Sequence, residues 1–123
     1  MTSVRSLLIR AAREFNAGRY FEAHEALEEG LDEVPDDLWH LITGLIQIAV
    51  GYHKVTQSLW SGAVKMLESG LEKTGPFAAD AAGLNLAALR RRVRRDIAAL
   101  RNGNRGAGTF TDPPPRLSFM PRN

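Results

Sequence analysis

The sequence predicts an all-α fold: a compact bundle of about five helices arranged as helical hairpins, with an irregular C-terminal tail. Three observations carry this. Apolar residues recur at i, i+3, i+4 and i+7 in successive segments, no segment shows the strict alternation of a half-buried strand, and Gly, Pro, Asn and Ser break the chain at helix-length intervals. With 123 residues, 44% of them hydrophobic and 24% charged, the chain suits one domain with a modest core. The helical domain is expected over 1–101 and the tail over 102–123.

The elements follow in order. Val4, Leu7, Leu8, Ala11, Ala12 and Phe15 mark a first helix, with Thr2 or Ser3 as N-cap and Gly18 as its stop. A second helix is predicted over 20–33, ending before Pro35 because proline lacks an N–H and its ring clashes with the preceding turn. Asp36 or Asp37 caps a third helix reaching about residue 55. Ser58 or Ser61 opens a fourth, which carries Val64, Met66, Leu67 and Leu71 and stops by Gly75-Pro76. The Ala-rich stretch 77–83 reads equally as a short helix or a loop. Asn85 caps a fifth helix with the stripe Leu86, Leu89, Val93, Ile97 and Leu100, stopped near Asn102-Gly103. Gly, Asn and Pro then dominate, and Leu117, Phe119 and Met120 are the residues able to pin the tail onto the body.

An internal similarity runs at an offset of forty residues: Ala23, Leu27, Glu28, Gly30 and Leu31 recur as Ala63, Leu67, Glu68, Gly70 and Leu71. Gly18-Arg19-Tyr20 before Ala23, and Pro35 after the helix, admit a tetratricopeptide-like pair. The preferred reading is coincidence, since Ala, Leu, Glu and a small residue recur in any amphipathic helix and a repeat protein needs about three units.

Composition removes several functions. The chain has no cysteine, which excludes disulfides, iron–sulfur clusters, thiolate zinc sites and cysteine nucleophiles. The apolar stretch 38–55 is interrupted by His40, Thr43, Gln47, His53 and Lys54, so it reads as a core helix and no membrane association is expected. Arg5 and Arg10 flank Leu7-Leu8-Ile9 and break a signal-peptide core, which makes the cytoplasm the expected location.

Helical geometry at about 100° per residue places His24 inside the apolar stripe of Phe21, Leu27 and Leu31, with Glu28 one turn on, at its margin. Glu25 lies further round, and Glu22 and Glu29 point away. On the third helix His53 falls within a wide apolar arc, while His40, Gly44, Gln47 and Gly51 gather on the opposite side. The two glycines permit close approach of another backbone, and Gln47 enclosed beside them needs hydrogen-bond partners. His24, Glu28, Gln47 and His53 are therefore candidates for one enclosed polar cluster.

These residues also carry a resemblance. Phe21-Glu22-Ala23-His24-Glu25-Ala26-Leu27-Glu28, then Gly44-Leu45-Ile46-Gln47-Ile48-Ala49 with His53, then Gly62-Ala63, resembles the small all-helical family named domain of unknown function 309, over roughly residues 15–71. Two departures stand out: Gly30 and Leu31 where the family has a tryptophan, and Ser58-Leu59 where it has Gly-Asn. The resemblance implies a compact helical bundle with a cluster of His24, Glu25, Glu28, Gln47 and His53, and it implies no established activity.

The first reading is a structural or protein-interaction module, acting on an unknown protein partner or as a homo-oligomer, with Leu59 and Trp60 as apolar contact residues. A histidine on an apolar face most often belongs to such a hydrogen-bond network. The alternative is a divalent-metal or small-ligand site, or an acid/base enzyme, using His24 and Glu28 with His53. No His-Glu-x-x-His motif, nucleophile elbow, phosphate loop or dinucleotide fingerprint accompanies it, so no cofactor is assigned and the balance leans away from an enzyme. A third reading is nucleic-acid binding through Arg91, Arg94 and Arg95 in the run from Arg90 to Arg95. The net charge of +2 argues against a general phosphate binder, and these arginines read as the solvated face of the last helix. Charge is segregated: 14–37 holds nine acids and one arginine, and 84–123 nine arginines and two acids.

Overall fold

The computed structural model describes residues 3–106 and 108–121. Five α-helices form the body: α1 (Val4–Asn16), α2 (Tyr20–Glu29), α3 (Asp36–Thr56), α4 (Trp60–Thr74) and α5 (Leu86–Arg101). Short 3-10 turns at Leu31–Glu33 and Ala81–Gly83 join α2 to α3 and α4 to α5. The fold class is the one predicted.

Local chemistry sets several ends. Ser3 caps α1, its hydroxyl accepting the Ser6 N–H over 3.0 Å; Thr2, the other candidate, lies outside the described residues. Asn85 caps α5 by accepting from Ala88 N–H over 3.2 Å. Three expectations are corrected. The second helix stops at Glu29 rather than continuing to 33, and Leu7 of α1 packs against Gly30 at its end, where a Cβ would lie 2.7 Å from Leu7 Cδ1. Pro35 cannot extend the helix, so the last residues tighten into 3-10 bonds such as Val34 N–H to Leu31 O. Neither Asp36 nor Asp37 caps α3: Pro35 takes the cap position and both acids sit in the first turn, where they complement the helix dipole. Nor does Ser58 or Ser61 cap α4, since Leu59 holds that position without a side-chain bond.

Ser58 has another task. Its φ is +60°, and in the turn between α1 and α2 Gly18 has φ +79°. Both turns share one bond pattern: Arg19 N–H reaches Glu14 O and Leu59 N–H reaches Lys54 O, each over 2.9 Å, while Gly18 N–H reaches Phe15 O and Ser58 N–H reaches Val55 O, each over 3.0 Å. The two turns lie forty residues apart, the offset of the sequence similarity, and both have the common left-handed geometry of a helix end. The turn occurs again after α5, where Gly103 has φ +74° and Asn104 N–H reaches Ala99 O over 2.9 Å. No helix follows the third turn among the described residues, because the chain there is Gly-rich.

The core joins Leu8 and Phe15 of α1, Leu27 of α2, Leu41, Ile48 and Tyr52 of α3, Leu67 of α4 and Leu89, Val93 and Leu100 of α5. Helices α3 and α4 approach closely, because Gly44 and Gly70 face each other: a Cβ on Gly70 would lie 2.7 Å from the Gly44 carbonyl. Among the described residues the tail folds back without regular structure apart from one antiparallel bridge between Leu84 and Phe119. Phe110 and Leu117 are buried, whereas Met120 is exposed and holds on through its backbone N–H to Gly83 O over 2.8 Å. Residues 107, 122 and 123 of the expected tail lie outside the described residues.

Candidate functional site

Residues of the two hairpins meet where α2 crosses α3. Phe21 on α2 is 43% exposed and stands between two imidazoles, its ring centroid 5.1 Å from that of His24 and 5.3 Å from that of His53. His24 Nδ1 lies 3.0 Å from the Phe21 carbonyl, which can accept a hydrogen bond from it. Nε2 faces Glu28 Oε2 at 3.3 Å. The i, i+4 spacing on one helix face creates this contact. His24 is sheltered and Glu28 half exposed, so the pair sits at the rim of the core.

The other candidates lie elsewhere. Glu25 is exposed and lines a surface depression with Arg10, Glu14, Glu22 and Glu29. Gln47 belongs to the face of α3 that carries Gly44 and Gly51, which turn to α4: Cβ atoms on them would meet Thr74 and Leu67. Its Oε1 is buried without a hydrogen bond among the described residues, so Gln47 is enclosed but is not joined to the histidines. Among the described residues no group of three or more His, Asp or Glu side chains is arranged to hold a metal ion. His24 and Glu28 meet each other, and His53 meets Phe21.

The basic run on α5 is corrected as well. It is not one solvated face: Arg92 Nε binds Asp96 Oδ2 over 2.9 Å with the Arg92 side chain only 14% exposed, and Arg92 Nη2 donates to Phe110 O. Arg95 donates to Thr109 O over 3.0 Å, so both arginines hold the tail. Arg91 and Arg94 are exposed. Arg94 and Arg90 line a cleft of about 680 Å³ between α4 and α5, faced by Glu68 and Glu72. Burial, and then the charge of Arg94, lower the Arg90 pKa from its ordinary value.

Sequence reasoning missed a buried network. Tyr52 donates its hydroxyl to Asp96 Oδ2 over 2.6 Å, the same oxygen that Arg92 binds, and Asp96 is fully buried. Burial first, then the charge and hydrogen bond of Asp96, push the Tyr52 pKa well above its ordinary value, and burial also raises that of Tyr20. The signal was available: Asp96 falls on the apolar stripe between Val93 and Ile97, with Arg92 one turn before it. The network ties α3, α5 and the tail together.

Comparison with known proteins adds a family. The family described as Domain of unknown function (DUF309) matches residues 8–66, from α1 into α4, and so includes Phe21, His24, Glu28, Gln47 and His53. The resemblance read from those residues is shown over that span, which stops short of α5 and the tail. No curated protein and no solved structure matches the chain. No helix among the described residues is long and apolar enough to cross a membrane.

Proposed function

We propose that the chain is a protein-interaction module, a helical-hairpin scaffold whose recognition face is the crossing of α2 and α3. One observation carries this: Phe21, a large aromatic at 43% exposure, stands between the rings of His24 and His53. An exposed aromatic held by flanking rings loses little conformational freedom on binding and presents a rigid apolar contact. Beside it the Glu28 carboxylate is half exposed, one turn beyond His24. The partner that fits is a basic amphipathic segment setting an apolar side chain on Phe21 and a Lys or Arg beside Glu28. The His24–Glu28 pair serves to hold the Phe21 face, which supports a positioning role over metal or acid/base chemistry. Nucleic-acid binding has less support, because Arg95 holds the tail and Arg94 lines a cleft that also carries Glu68 and Glu72.

A photo-crosslinking residue at Phe21, with one at the exposed Ile9 as control, tests this in cells. A partner captured from position 21 alone is then purified and its binding measured by calorimetry. Binding that falls about tenfold or more in Phe21→Ser and weakens with salt supports the reading; undiminished binding in Phe21→Ser, or equal capture from both positions, overturns it.

A further inference from the structure

The cleft between α4 and α5 lies outside the face just described and has its own chemistry. Arg90 and Arg94 are one turn apart on α5, so their guanidiniums can converge on one acceptor. Neither is paired with a carboxylate in the described structure, and Arg90 Nε is buried with no hydrogen-bond partner. A carboxylate entering the cleft can span the guanidinium groups of both arginines. On the opposite wall Glu72 is exposed and has no ion pair among the described residues. Glu68, by contrast, is neutralised by Arg101. The unpaired charges are thus two cations facing one anion, across a floor that includes Leu71 and Ile97.

We propose that this cleft binds an α-amino acid with an apolar side chain. Its carboxylate bridges Arg90 and Arg94, its ammonium pairs with Glu72, and its side chain lies over Leu71 and Ile97. A simple anion fits less well, because Glu72 would repel it, and a simple amine would leave the arginines unpaired. The volume of about 680 Å³ accommodates such a molecule with part of its hydration.

The full chain, labelled with ¹⁵N, is titrated with L-leucine, with 4-methylpentanoate, which lacks the ammonium, and with leucinamide, which lacks the carboxylate. Leucine is expected to shift amide signals of residues 71–75 and 90–98 saturably, and each truncated probe to bind about tenfold more weakly or worse, since each loses a charge-assisted hydrogen bond. Glycylleucine, with a peptide unit between its charges, is expected to bind more weakly than leucine. Arg94→Gln and Glu72→Gln alter exposed side chains and should keep native helicity while each lowers leucine affinity about tenfold. Equal binding of leucine and 4-methylpentanoate, unchanged affinity in both variants, or no saturable shift with leucine at tens of millimolar overturns the proposal.

Discussion

The Tyr52 hydroxyl donates to Asp96 Oδ2 over 2.6 Å across 44 residues of sequence, and Arg92 binds the same oxygen over 2.9 Å. Asp96 therefore anchors α5 to α3, and its removal would strand a phenol and a sheltered guanidinium. Asp96→Ala is expected to cost about 3–5 kcal/mol. Tyr52→Phe leaves the ion pair in place and should cost about 1–2 kcal/mol. Guanidinium unfolding followed by circular dichroism measures both, and a smaller loss for Asp96→Ala than for Tyr52→Phe would contradict the anchoring role.

Alkali should unfold the protein together with its tyrosines. The chain has 2 tyrosines, and both have folded-state pKa values raised above the ordinary 10.0, chiefly by burial. The folded state thus holds these protons more tightly than the unfolded chain. Their contribution is complete below about pH 10 and is lost as pH rises past it toward the raised folded values. Phenolate absorbance at 295 nm should therefore rise in one step that coincides with the loss of helix signal; a tyrosine titrating near pH 10 with the helices intact would refute this.

The contact of α3 with α4 depends on absent side chains. A Cβ on Gly70 would lie 2.6 Å from Ile48 Cγ1 and 2.7 Å from the Gly44 carbonyl, and that backbone cannot move without shifting a core helix. Gly70→Ala should thus destabilise by about 1–3 kcal/mol, despite the gain of up to about 1 kcal/mol in helix propensity. Gly62 is the contrast: its Cβ would lie 3.1 Å from Lys54 Cδ, a flexible side chain, so Gly62→Ala should be neutral or stabilise by up to about 1 kcal/mol. Urea midpoints of the two variants moving in the same direction would be evidence against the close crossing.

What the sequence disclosed and what it withheld divide along the range of the forces involved. Ser3, Gly18 and Asn85 act on their own neighbours, so the ends they control were legible. That residue 30 must lack a side chain was not, because that depends on Leu7, which belongs to another helix. Ser58 was read as a cap because serine usually caps, whereas here it takes the left-handed place that Gly18 has one hairpin earlier; aligning the turns at the forty-residue offset would have shown it. The side of α3 occupied by Gln47 was legible, but not that α4 covers that side. Asp96 was overlooked among the arginines, although its place on the stripe marked it as buried.

Asn16 clasps the tail with both ends of its amide: Nδ2 donates to Leu117 O over 3.0 Å, and Oδ1 accepts from Leu117 N–H over 2.8 Å. Leu117 is 3% exposed, so the two bonds hold the tail over the core at the end of α1. Asn16→Ala removes both and leaves a half-buried peptide unit unpaired, a cost of about 1–3 kcal/mol. Because the tail is also tied at Phe110 through Arg92 and at Met120 through Gly83, the loss should be local. Hydrogen exchange at Leu117 is expected to speed up about tenfold or more, while Tyr52, Leu67 and Leu89 in the helices keep most of their protection. Equal loss of protection in tail and helices would instead make Asn16 part of the global folding unit.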